Sequence, residues 1–423
     1  MRKILGCGAL TGAFAIGASA AANELPDGFS LSTVATGLNQ PIALACAPDG
    51  RIFVCEKEGA VRVIDAAGNL LPEPFIELSV HTFSECGLLA IELSPSFATD
   101  GYVYLFATVL HNEQQILRLR DVNNRADEAT VIRGFIPTSG ANHNGGGLRF
   151  GPDGMLYFSV GDAQEPDSAQ NIAQLSGKIV RITPDGDTPA DNPFVTSTGA
   201  PRAAYALGFR NPFRFDIAPD GRLFVLDVGS DNPERREEIN IIRAGNNAGW
   251  PLVEGEFDPA AYPGLVGPAF SYNEAGSAPT GALFYTGAQF PAEYAGNFFH
   301  FDFVSNRMFR AVLDGDRVVS HSQFFLADGG PVDLVQAPDG SVYFCELING
   351  AVRKISYGSP IDGQSGPDEP TSNDDPSNAN GADAPDDDAN DNEGTGGGLA
   401  SPCAAVPLGL IALSAVGLRR RRD

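Results

Sequence analysis

Basic side chains are scarce in this chain of 423 residues. Lys and Arg number 28 against 53 Asp and Glu, a formal net charge of −25. That balance excludes nucleic acid as a partner, because phosphate binding needs clustered Lys and Arg. Cysteine is also sparse, with six residues, no CxxC pair and no Cys/His spacing of the kind zinc requires. Trp250 is the single tryptophan, and there are five histidines. Residues 25–357 show no sustained helical period, which excludes a helical architecture for the bulk of the chain. What abounds is Gly (49) and Pro (31), the composition of a turn-rich β protein.

The ends differ from the middle. Arg2 and Lys3 precede a short apolar stretch, and "ASA" at 18–20 offers a small-residue cleavage site, so residues 1–22 read as a secretory signal. Export would put Cys46, Cys55, Cys86 and Cys345 in an oxidising compartment where disulfides can form, in any of three complete pairings. Residues 358–398 read as a disordered acidic linker, with eleven acidic and no basic side chains over 359–398. Residues 399–423 follow as an apolar segment ending in four arginines. Its apolar part, 404–418, is shorter than the roughly 20 residues of a comfortable membrane span. The layout resembles bacterial C-terminal sorting segments, with a plain membrane anchor as the alternative. Both put the globular part beyond the inner membrane, in the periplasm, at the cell surface or secreted.

Between the ends lies a repeat. "ACAPDGRIFVCE" (45–56), "RFGPDGMLYFSVGD" (149–162), "DIAPDGRLFVLDVG" (216–229) and "VQAPDGSVYFCE" (335–346) each set a Pro-Asp-Gly turn before alternating apolar positions. Each unit predicts a hairpin with a half-buried strand. Weaker copies occupy 93–107 and 290–302. The turns recur about every sixty residues, the interval of propeller blades with extended loops. The expected fold is all-β, a six-bladed β-propeller over residues 25–357, with a β-sandwich of hairpins as the blander alternative.

Chemistry-bearing residues flank these hairpins. His143, in "SGANHNGGG", precedes one repeat, and Asp162 ends the strand of the same repeat. A carboxylate beside an imidazole fixes its tautomer and raises its basicity, as a general base requires. The glycines after His143 are expected to keep a channel mouth open. Arg210 and Asn211 occupy the corresponding place before the next repeat, where an arginine can stabilise developing negative charge. The Gly-rich acidic stretch 226–251 could supply oxygens to a hard cation such as calcium.

Five stretches, "ECGLLAIELSPSFATDGYVY", "NHNGGGLRFGPDGMLYFSVGD", "SGKIVRITPDGDTPADNPF", "LGFRNPFRFDIAPDG" and "REEINIIRAGNNAGWP", occur in one order. In that order they resemble the glucose/sorbosone dehydrogenase family of six-bladed sugar dehydrogenases that use pyrroloquinoline quinone (PQQ). The resemblance implies that His143 is the base taking the anomeric proton while hydride passes to the quinone, with Asp162 as its partner. It implies quinone contacts from Arg210 and Asn211, a pocket-lining Glu85, and Ca²⁺ held through the backbone carbonyls of Gly229 and Ser230. A sugar substrate and an external electron acceptor follow from it. Glucose-oxidising members bind the PQQ carboxylates with a Lys and two Arg in the last two blades. Here the matching stretch 303–310 offers Arg307 and Arg310, and 328–340 offers no basic residue. Two alternatives stay open: a binding propeller that has lost PQQ, and a calcium-dependent lactonase-type hydrolase.

Overall fold

The computed structural model describes residues 25–127, 129–196, 202–273 and 276–358. The predicted signal, the linker beyond Gly358 and the C-terminal segment 399–423 lie outside them. Six antiparallel sheets, five of four strands and one of five, make up the described part. Blade 1 starts at Pro41–Cys46, blade 2 at Leu88–Leu93, blade 3 at Leu148–Phe150, blade 4 at Pro212–Ile217, blade 5 at Pro279–Phe284 and blade 6 at Pro331–Gln336. These first strands touch one another in a closed ring, so the expected six-bladed propeller is the fold. Blade 6 is completed by the chain's first described strand, Phe29–Ala35, which pairs antiparallel with its last, Ala351–Tyr357.

The Asp-Gly turn joins the first and second strands in five of the six blades. Asp49, Asp100, Asp153, Asp220 and Asp339 each accept the backbone N–H two residues on, at 2.9–3.1 Å. The glycine after each has φ between 66° and 87°, a region that costs a side-chain-bearing residue free energy. In blade 2 one helical turn, Phe97–Asp100, replaces the proline. In blade 5 a longer connection closes on Gly296, whose N–H reaches the Tyr285 carbonyl at 2.8 Å.

The strands after the turns are not half-buried. Ile52–Glu56, Leu156–Val160, Leu223–Asp227 and Phe298–Asp302 are buried at every position, because each second strand has sheet neighbours on both edges and blades on both faces. Aromatic pairs mark the blade contacts, as with Phe106 on Phe158 and Phe224 on Phe284, at 5.7 and 5.0 Å between centroids. The four cysteines of the propeller are free thiols, so none of the possible disulfides is formed. Cys55, Cys86 and Cys345 are packed as core residues, and burial raises the thiol pKa of all four.

At the hub sits Arg214, with 2% of its side chain exposed. Its guanidinium donates to the carbonyls of Ile42 (2.8 Å), Leu89 (3.1 Å), Gly146 (2.9 Å) and Phe213 (3.1 Å), and to Asp333 Oδ1 (3.2 Å). Asp333 Oδ2 accepts the Leu44 N–H at 3.1 Å. Blades 1, 2, 3, 4 and 6 are thereby joined through one side chain. Replacing Asp333 by Ala leaves that guanidinium buried without its counterion. Unfolding in urea should show a loss of about 3–5 kcal/mol, whereas a surface exchange such as Glu73→Ala should change little.

Candidate active site

In every blade the loop before the first strand and the loop between the second and third strands lie at the same end of the propeller. The Asp-Gly turns lie at the other. The candidate site residues fall on the first of these ends, here called the loop face, whereas the Arg310 guanidinium reaches Asn297 and the Glu293 carbonyl at the turn end. His143 and Asp162 belong to blade 3, Arg210, Asn211, Gly229 and Ser230 to blade 4, and Glu85 to blade 2.

His143 Nδ1 lies 2.6 Å from Asp162 Oδ1. The Asp162 side chain is fully buried and also accepts the Gln164 N–H at 2.8 Å and, through Oδ2, the Trp250 indole N–H at 2.9 Å. A carboxylate held by these donors keeps the proton on His143 Nδ1 in the neutral ring, which leaves Nε2 as the basic nitrogen. Among the described residues Nε2 has no hydrogen-bond partner, and 12% of the His143 side chain is exposed. The geometry is that of a base with an orienting acid.

The loop carrying His143 is tightly packed, contrary to the expectation that its glycines hold a mouth open. A Cβ on Gly161 would stand 2.1 Å from the His143 carbonyl oxygen, and one on Gly145 2.4 Å from that of Ser159. The glycines are therefore required for the loop to lie against its own blade. His143 itself has φ 59°, an uncommon value for a side-chain-bearing residue. Glu85 holds it there by accepting its N–H at 2.8 Å, and the same oxygen takes the Asn211 amide at 3.2 Å. Asn211 Oδ1 in turn accepts the Gly145 N–H at 3.0 Å. Glu85 and Asn211 brace the backbone around the histidine.

Arg210 is 7% exposed at its side chain, donates to the Val228 carbonyl at 3.1 Å and lies 5.8 Å from the centre of the Trp250 ring. Its backbone N–H and that of Asn211 are both taken by Asp227, at 2.9 and 2.7 Å. Gly229 and Ser230 give their N–H groups to Glu237 (2.8 Å) and Glu254 (2.7 Å). Among the described residues no three His, Cys, Asp or Glu side chains converge as a metal-ligand set.

Two residues escaped the sequence reading. Trp250 links Asp162 to Arg210; its being the only tryptophan was the available signal. Lys57, from blade 1, is 7% exposed and gives Nζ to the Thr82 carbonyl at 2.7 Å, with no carboxylate in ion-pair reach among the described residues. Desolvation lowers its pKa. It is a buried cation short of an anion, and its acceptor Thr82 lies three residues before the glutamate that holds His143.

The sequence model of the glucose/sorbosone dehydrogenase family matches residues 38–353. The chain belongs to this family. It is 27% identical over 339 residues to the aldose sugar dehydrogenase of Escherichia coli, covering 75% of this chain and 90% of that one. Among solved structures, a glucose dehydrogenase-type oxidoreductase of Thermus thermophilus aligns with a TM-score of 0.70 at 31% identity, over 78% of this chain and 100% of its own. The PQQ-bound aldose sugar dehydrogenase of Streptomyces coelicolor aligns with a TM-score of 0.67 at 27% identity, over 79% and 99%.

Buried acids crowd the blade 4 side of this family member's site. Burial raises Glu237 to about 8 and Glu238 to about 7, and Asp227 and Glu85 also rise. A carboxyl raised in this way stays protonated in the folded chain after the unfolded chain has ionised. The folded state then binds more protons between the ordinary value of 4.5 and about 8, so stability falls as pH rises through that window. Thermal melts should show Tm declining from pH 5 to pH 8. Glu237→Gln, which keeps an acceptor for Gly229, should flatten that decline.

Proposed function

We propose that the protein is a PQQ-dependent dehydrogenase that oxidises an aldose or related sugar alcohol group, with His143 as general base. The observation that carries the proposal is the His143–Asp162 pair with its open Nε2. His143 Nε2 accepts the proton of the anomeric hydroxyl, and Asp162 and Trp250 hold the ring in the required tautomer. Bound PQQ supplies a two-electron hydride acceptor. Arg210 stands ready to offset negative charge next to Trp250, and Lys57 offers an unpaired ammonium to a carboxylate of the cofactor.

The donor set supports an anionic cofactor on the side of blades 1 and 4. Blades 5 and 6 offer less. Their face loops 303–306, 327–330 and 347–350 contain no Lys or Arg, and nearby Arg353 is engaged by Glu346 at 3.1 Å. Calcium held by the Gly229 and Ser230 carbonyls belongs to the same proposal. So does export across the inner membrane, with residues 399–423 as sorting or anchoring segment; both rest on the sequence and the family resemblance.

Titrating the folded protein with PQQ, with and without Ca²⁺, and following quinone absorbance and sugar-dependent dye reduction tests the reading. His143→Ala should abolish turnover while PQQ still binds. Asp162→Asn should lower kcat by about 10²–10⁴-fold. Lys57→Met should weaken PQQ binding with kcat at saturation little changed. Absence of both PQQ binding and dye reduction across a broad sugar panel would overturn the proposal.

A further inference from the structure

The loop face differs from the turn face in the sign of its exposed charge. Exposed charged residues on its loops are Glu58, Glu165, Asp167, Asp231, Glu234 and Asp328, all acidic. Among the described residues of these loops Lys57 and Arg210 are buried and Arg235 and Arg236 half-buried, so no Lys or Arg is fully exposed there, and the one exposed imidazole is that of His111. The opposite end and the blade flanks carry both signs, with Arg120, Arg125, Arg243 and Arg317 exposed among the acids. The loop face also carries exposed apolar side chains. Phe135 is 90% exposed, Ile348 69%, Phe83 60%, Leu110 55% and Val304 47%, and the first three are the most exposed large apolar residues described.

An acidic ring with interspersed apolar contacts around a reaction mouth suits a transient partner of opposite charge. Long-range attraction steers encounter, and small apolar contacts hold a short-lived complex. We propose that the loop face docks a basic one-electron carrier protein that receives the electrons of the reaction. This rests on the dehydrogenase reading above. Each aldose oxidised to its lactone releases two electrons and two protons; two oxidised carrier molecules take one electron each in succession, and the protons pass to solvent.

The probe is a strongly basic c-type cytochrome, with an acidic cytochrome of matched potential and a small neutral dye as controls. Binding is measured by titration without substrate, and reduction with sugar and the PQQ-loaded protein. The basic cytochrome should bind and be reduced at low salt, and both should weaken by about tenfold or more as salt is raised, while dye reduction holds. The triple variant E58K/D167K/E234K, whose side chains make no hydrogen bond or ion pair with His143, Asp162 or Arg210, should lose about tenfold or more in cytochrome reduction and keep its dye rate within about twofold. F135S/I348S should weaken cytochrome binding without changing its salt dependence. Equal binding of the acidic cytochrome, or an unaltered triple variant, overturns the docking proposal and leaves the dehydrogenase standing. If no dye is reduced, the dehydrogenase reading fails instead, and the substrate-free titration still decides whether this face binds a basic protein.

Discussion

Five of the six blades are tied to one guanidinium. Arginine carries five N–H donors in a fixed planar fork, and Arg214 uses each of them, four on backbone carbonyls and one on Asp333. The first strands of a propeller turn an unpaired edge toward the axis, and buried carbonyls there need donors. A single rigid cation answers that need for strands remote in sequence, which no apolar plug could do. Its contact with Gly146 also ties the hub to the loop that bears His143, so the position of the imidazole is set from below as well as from its own blade.

The site above the hub is built chiefly from acids used as acceptors for backbone N–H groups. Asp227 holds the start of blade 4, Glu85 holds His143, and Glu237 and Glu254 hold Gly229 and Ser230. Such carboxyls fix loops that have no regular structure of their own, at a cost in desolvation that shows as raised pKa values. Rigid placement of the His143 imidazole and the raised proton affinity of the surrounding acids are thus two sides of one arrangement.

Much of this was legible in the chain. The Asp-Gly turns are local, and local conformation repeats in the sequence; even the copy at 290–302, without its Pro-Asp, kept the glycine that closes it. His143 and Asp162 could be paired because both flank one hairpin, nineteen residues apart. Trp250 and Lys57 could not be placed, because their partners come from other blades or from a loop that doubles back along Leu207 through its bridge to Asn247. The same blindness produced the half-buried strands: alternation is written along a strand, but the second face of burial comes from the neighbouring blade.

The ring is closed by the two ends of the described chain, with Phe29 opposite Tyr357. On a ribosome, the strand Phe29–Ala35 emerges first and finds no sheet to join until the last strand has followed it. Five blades can form as they appear, each from neighbouring sequence, but the seam waits for the whole length between them. A chain stopped short of residue 351 would therefore hold a nearly finished ring whose opening strand still lacks its mate, an unpaired edge offered to whatever lies nearby.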